Sequence, residues 1–278
     1  VLTPGGTVTG SVVTSVGSSS ITDRDQWLGL AGGFGQVRIG TISTGYKSHG
    51  AMIDPLYRTS LQGRDRGLQS RLHSGAGEEL QGRATNTIRF DSANYNGMQL
   101  VAHYTLDSNE SDGEDDNPYG IGASYENGNI LVFADYMNNE GSNASPFGER
   151  DAWKVGGKYD MGMFTMLGQY EDYSNSSTDD ETLWHVAGTA SLLGINFYLG
   201  YGKGEDDTSN NDYTAWTLAL THNMSKRTMV YVGHSEVDCD FGDPDGAGPL
   251  SATLSACNAV GSSGGEDDKT SFGLKHTF

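Results

Sequence analysis

Apolar and polar side chains alternate in short runs along most of this chain. Over residues 36–42, Val37 and Ile39 fall on one face and Arg38 on the other, the period of two that marks a β-strand. Over 84–91, Ile88 and Phe90 share a face, and Thr87, Arg89 and Asp91 share its opposite. Residues 98–106 set Met98, Leu100, Ala102, Tyr104 and Leu106 against Gln99, Val101, His103 and Thr105. The same period predicts strands over 119–125, 130–138, 152–160, 163–171, 183–191, 195–203, 213–221, 227–236 and 269–278. An apolar stretch at 25–32 precedes a glycine turn at 32–35. That makes thirteen strands. Residues 6–16 are a fourteenth if they are a strand rather than a loop.

The connections between these strands alternate in length. Short turns at 92–97, 126–129, 161–162, 192–194 and 222–226 interleave with long connections at 107–117, 139–151, 172–181, 204–212 and 237–268. Antiparallel barrels of the bacterial outer membrane have this asymmetry, with short turns at the periplasmic end and long loops at the cell surface. Four acidic stretches, 107–117, 171–181, 205–212 and 238–268, carry 22 of the 36 acidic residues, so the acids gather on one rim, for which a soluble sandwich or propeller has no reason. The predicted outward faces carry Tyr95, Tyr119, Trp153, Tyr159, Trp184, Tyr213 and Trp216 near strand ends, as aromatic girdles require. A mean hydropathy of -0.48 is compatible with a barrel, because lipid meets only every second residue of each strand. No run of about 18 apolar residues exists, so no transmembrane helix is expected. The reading is all-β: one antiparallel transmembrane barrel over residues 1–278, with fourteen strands visible.

One segment departs from the strand pattern. Residues 43–83 lie between two strands and carry six of the 17 basic residues together with apolar anchors such as Leu56, Leu61, Leu68 and Leu72. A structureless excursion of this length is functional or disordered, and the anchors favour packing. The expectation is that it folds into the barrel and narrows it, against the plainer alternative of a solvated surface loop. Strand parity places Arg38, Arg89, Lys154 and Lys158 on the lumen side, with Arg83 at the mouth of its strand. The segment adds Arg58, Arg64, Arg66 and Arg71, with Asp54, Asp65, Glu78 and Glu79 as counter-charges. Opposed charges at such a waist sort solutes by size and field.

A formal net charge of -19 excludes nucleic acid as a partner. The two cysteines, Cys239 and Cys257, share one glycine-rich loop region, which they staple in an oxidising compartment or leave as free thiols in the cytosol. Residues 238–246 space oxygens somewhat as a calcium loop does, but lack the bidentate glutamate, so a solvated acidic loop is favoured. Gly200, Gly202 and Gly204 form a Gly-x-Gly-x-Gly run within a strand, which does not open a helix and so does not argue for phosphate binding. No HExxH, close histidine spacing or Gly-x-Ser-x-Gly elbow is present, and no cofactor or enzymatic activity is expected.

At 269–278 Phe272, Leu274, His276 and Phe278 alternate up to an aromatic carboxyl terminus, an ending similar to the last strand of bacterial outer-membrane proteins. His276 departs from the usual apolar residue. Residues 27–40, WLGLAGGFGQVRIG, resemble the strand–turn–strand before the constriction loop of Gram-negative general porins, and Ile88-Arg89-Phe90-Asp91-Ser92 resembles the strand after it. The resemblance implies a sixteen-stranded barrel, of which this chain lacks the first two strands, assembled as a homotrimer in the outer membrane. It also implies contact with lipid and lipopolysaccharide; the loop acids themselves would accept divalent cations bridging to lipopolysaccharide phosphates, a non-specific expectation. In that family, loop acids face wall arginines; this loop is itself arginine-rich. Three functions follow: passive diffusion of ions and small hydrophilic solutes, with modest anion preference; a substrate-selective channel for anions or sugars; and a soluble acidic β-protein binding calcium or glycans.

Overall fold

The computed structural model describes residues 25–76, 82–106, 117–139, 150–175, 180–206, 211–241 and 265–277. The strand expected at 6–16 lies outside them. They form thirteen strands: β1 (Gln26–Gly32), β2 (Gly35–Ser43), β3 (Arg83–Ser92), β4 (Met98–Thr105), β5 (Tyr119–Asn127), β6 (Ile130–Asn139), β7 (Arg150–Asp160), β8 (Phe164–Asn175), β9 (Glu181–Leu192), β10 (Ile195–Asp206), β11 (Asn211–Asn223), β12 (Thr228–Phe241) and β13 (Gly265–His276). Each pairs antiparallel with the next in chain order, giving one continuous meander. Among the described residues β1 and β13 do not pair, so the sheet is open between them.

Period two settles the faces. On β11, Tyr213, Ala215, Thr217 and Ala219 are buried and turned inwards, while Leu218 and Leu220 are exposed outside. Tyr213 is therefore not a girdle residue as expected: it lies an odd number of residues from Trp216, and parity puts the two on opposite faces. The outer face is apolar and uncovered, with Leu28, Leu30, Ile39, Ile121, Met166, Val186, Leu199, Phe272 and Leu274 all more than half exposed. A patch of that extent belongs against lipid.

Several strands run beyond their predicted ends on the long-connection side: β10 continues to Asp206, and β12 to Phe241. On β10 the added residues are Gly204, Glu205 and Asp206, so apolar alternation fades while hydrogen-bond pairing continues; on β12 the alternation itself runs on, with Val237 and Cys239 buried and Asp238 and Asp240 exposed. The short turns use left-handed residues. Asn96 and Gly97 (φ 53° and 94°) and Leu193 and Gly194 (φ 53° and 79°) supply the positive angles a two-residue hairpin needs.

The sheet curls round the segment that leaves β2. A register shift between Gly40 and Ile42, with Asn86 at φ 49°, bends the β2–β3 pair where the chain departs. The chain then enters a helix, α1 (Gly45–Met52), and continues through two short 3-10 turns at Gly63–Asp65 and Arg71–His73. Side chains of residues 43–73 touch β3, β6, β7, β8, β10, β12 and β13. A flat sheet cannot present seven strands to thirty residues, so the segment fills the concave side.

Candidate pore constriction

Thr44 opens α1: its backbone is extended (φ -69°, ψ 162°), and its side chain accepts the Lys47 N–H at 3.2 Å. One face of the helix is buried against β6–β8. The Tyr46 hydroxyl donates to Glu171 Oε2 at 2.7 Å, and His49 Nδ1 lies 2.7 Å from Asp135 Oδ1. The Lys154 ammonium reaches under the helix to donate to the Tyr46 carbonyl, and lies 2.9 Å from His73 Nε2 and 3.8 Å from Asp135 Oδ2. Burial and the Lys154 charge hold the His73 imidazole well below its ordinary range, so it stays neutral. Burial and Glu171 push the Tyr46 phenol well above its own.

Beyond the helix, Asp54 closes a turn. Its two oxygens accept the N–H groups of Leu56 and Gly63, both at 2.9 Å. Burial outweighs those donors and raises the carboxyl to about 6. The turn docks on the last hairpin. The Ser60 hydroxyl lies 2.6 Å from that of Ser271 and 3.1 Å from that of Tyr231, and Lys275 donates to the Tyr57 carbonyl at 2.6 Å. The Arg66 guanidinium donates to Ser235 Oγ at 3.1 Å and to Asp267 Oδ2 at 2.5 Å. Ile53, Leu56, Leu61 and Leu68 are buried among inward apolar residues that include Leu131, Phe133, Leu183 and Ala219. Each such side chain contributes about 1.5–3 kcal/mol of burial. The glycine run of β10 is the seat for one of them: a Cβ on Gly200 or Gly202 would lie 2.9 or 3.2 Å from the Leu68 methyls.

The expected charged residues divide into three groups. Arg38 and Arg89 both pair with Asp91, and Arg89 also donates to the Ser43 carbonyl and to Ser48. Arg83 pairs with Asp25 at 2.8 Å, and Arg66 with Asp267. Lys154 is 0% exposed, behind the segment rather than beside open space. A second group faces the interior with little or no compensation. Arg58 is exposed, with its guanidinium 5.5 Å from the Tyr57 ring centroid; Arg64 stacks on the same ring at 5.2 Å and comes only within 3.9 Å of Asp65. Arg58 and Lys158 have no ion-pair partner among the described residues. Asp54 and Asp65 spend their oxygens on the segment itself, Asp65 on the Gln62 amide at 2.5 Å. The third group stays undecided: Glu78 and Glu79 lie outside the described residues, as does Cys257, and of Arg71 only the backbone, at the start of a 3-10 turn, is described. Cys239 is buried near the end of β12.

Sequence reasoning missed Lys47 as a site residue. It is buried, has no carboxylate within ion-pair distance, and lies within the field of Arg58, Arg64 and Arg83. Burial first, then these arginines, lower its ammonium to about 7. It also missed Asp135, Glu171, His49 and His73, which hold the segment down. Inward parity on β6 and β8 was the signal for the two acids.

A profile of Gram-negative porins matches residues 2–241. The chain is similar to the major outer membrane protein P.IB of Neisseria sicca, 23% identical over 244 residues, covering 75% of this chain and 66% of that protein. It thus spans just under two thirds of the length of this curated relative. Among solved structures, the anion-selective porin from Comamonas acidovorans superposes with a TM-score of 0.69 at 18% identity, over 91% of this chain and 77% of that one. The trimer form of OmpT from Vibrio cholerae does so at 0.63 and 16%, over 91% and 80%. The uncovered apolar outer face and these matches displace the reading of a soluble acidic protein. The chain belongs to the Gram-negative porin family and is a protein of the bacterial outer membrane.

Proposed function

We propose that this chain is a single barrel forming a water-filled channel for passive diffusion of ions and small hydrophilic solutes, with a preference for anions and without bond-making chemistry. One observation carries the preference. Among the described residues, the acids that lie against the inserted segment are engaged: Asp54 by backbone N–H groups, Asp65 by Gln62, Asp135 by His49 and Lys154, Glu171 by Tyr46 and Ser70, and Asp267 by Arg66. Lys47, Arg58 and Lys158 have no carboxylate within ion-pair distance among the described residues, and these three cations tip the field around the segment toward positive. In a low-dielectric wall such charges act more strongly than in bulk water. The fold shared with a porin named as anion-selective is compatible with this. Planar-bilayer recordings under a potassium chloride gradient test it. A reversal potential of the anionic sign is expected; a cationic sign overturns the preference, and absence of conductance steps overturns the channel.

Arg58 and Arg64 on one Tyr57 ring favour a second reading, a binding step for anions during passage. Saturable flux would distinguish it from free diffusion. We further propose a homotrimer in contact with lipid and lipopolysaccharide, in keeping with the trimeric form of the Vibrio neighbour. A Cys239–Cys257 bond staples the connection after β12; no described cysteine is free.

A further inference from the structure

On the outward face of the last hairpin, His234, Glu236 and Asp268 bring an imidazole nitrogen and two carboxylate oxygens within 4.8 Å of one another. Parity fixes the face: Ser235, Val237 and Ser271 point inwards, so residues 234, 236, 268 and 270 point out. Glu236 and Asp268 are direct cross-strand partners. Like charges in that position repel, and a cation between them removes the repulsion. The histidine lies two residues along the same face. Its Nε2 is 3.8 Å from Asp268 Oδ1, and its Nδ1 is 2.8 Å from Thr270 Oγ1. The threonine occupies one ring nitrogen and leaves the other facing the carboxylate, the arrangement by which ligating histidines are oriented. The Trp216 ring, 5.3 Å away, packs on the imidazole. Along β13 from this level, the next outward residues are Phe272 and Leu274, 86% and 61% exposed. The trio therefore borders the apolar band on the long-connection side.

We propose that His234, Glu236 and Asp268 bind zinc and clamp β12 to β13, with Thr270 as a positioning residue. One nitrogen and two oxygens suit zinc; calcium takes six to eight oxygens. The inner face of the same hairpin holds Arg66 and Ser60 of the inserted segment, so the clamp stiffens the wall on which that segment rests.

The test is zinc chloride titrated calorimetrically into the chelator-treated, detergent-folded full chain, with zinc-edge X-ray absorption to detect imidazole in the shell. One zinc per chain is expected. His234→Gln and the Glu236→Gln/Asp268→Asn pair should each weaken it at least about ten-fold, and Thr270→Val by about ten-fold. Zinc should also raise the heat-modifiable gel transition of the wild type and leave that of His234→Gln unmoved. All these residues face outwards, and variants are compared only where that transition shows a folded barrel. The proposal falls if the wild type binds no zinc, if His234→Gln binds it as tightly, or if equimolar calcium displaces it; the last two would place the binding in the acidic loops. Channel recordings are untouched by either result, so the proposed conductance stands or falls separately.

Discussion

A lysine buried among arginines with no carboxylate beside it keeps its proton only in part. Lys47 is lowered to about 7, mainly by burial and next by Arg83 and Arg64. Below that pH it is charged and adds to the positive field; above it the charge is gone. The anion-to-cation permeability ratio should therefore fall between about pH 6 and 8, and Lys47→Met should remove its upper part, leaving the part near pH 6 where Asp54 ionises. Reversal potentials at three pH values check this, and an unchanged slope in the variant would refute it. Stability runs the opposite way: between about 7 and the ordinary lysine value the unfolded chain binds more protons, so the folded state gains as pH rises through that window. A second residue, Leu193, is 92% exposed and sits at φ 53° beside Gly194 in a hairpin turn. A non-glycine side chain there costs about 1–2 kcal/mol. Leu193→Asn should recover part of it and raise the midpoint of the heat-modifiable gel transition. At this scale the sequence told a good deal: period two put Arg38, Arg89, Lys154 and Lys158 on the inner face. It could not tell which of them would be covered, because the cover on Lys154 comes from Tyr46 and His73, about 80–110 positions earlier in the chain.

The inserted segment is an element held by three independent anchors. Tyr46, Ser70 and Glu171 tie its two ends to β8, Leu68 sits on the glycines of β10, and Ser60 and Arg66 meet β12–β13. Leu68→Ala should weaken its seating by about 2–5 kcal/mol while the strand pairing of the sheet stays intact. Gly202→Val should act in the same direction by filling the seat. The expected readout is noisier single-channel current and faster proteolysis within residues 54–76, with an unchanged heat-modifiable barrel band; loss of that band would mean the segment is needed for the barrel itself. The apolar anchors of this segment were legible from composition, and its inward path from its length between two strands. The purpose of Gly200 and Gly202 was not, since a strand glycine reveals its reason only when the neighbour that needs the space is known. The proposed Cys239–Cys257 staple belongs to this scale too. It encloses a loop of fewer than twenty residues, so reduction should cost about 3 kcal/mol on the chain-entropy account, read as a lower gel transition after dithiothreitol.

Across the molecule two fields oppose each other. The chain carries -19 overall, and acids crowd the strand ends and connections between β4 and β5, β8 and β9, β10 and β11, and β12 and β13, which topology puts on one rim. The unpaired cations lie inside, on and beneath the inserted segment. Alternation and loop lengths carried this architecture in the sequence, because a barrel in lipid repeats one rule on every strand; the reversal of sign within it depended on which acids found partners. The two fields respond differently to salt. Exposed charges are screened over about 30 Å at 0.01 M and about 10 Å at 0.1 M, whereas partly buried ones are screened much less. At low salt the acidic rim should gather cations at the entrance and blunt the anion preference. Raising salt from about 0.01 to 0.1 M should remove the rim's influence first, so the anion-to-cation ratio should climb before it declines toward 1 M. A simple positively charged pore would instead lose selectivity monotonically, and reversal potentials measured at a fixed gradient ratio across that range separate the two. Neutralising acids of the 107–116 connection should bring the low-salt value up to the 0.1 M one; if it does not, the rim contributes nothing to permeation and the field is set by the constriction alone.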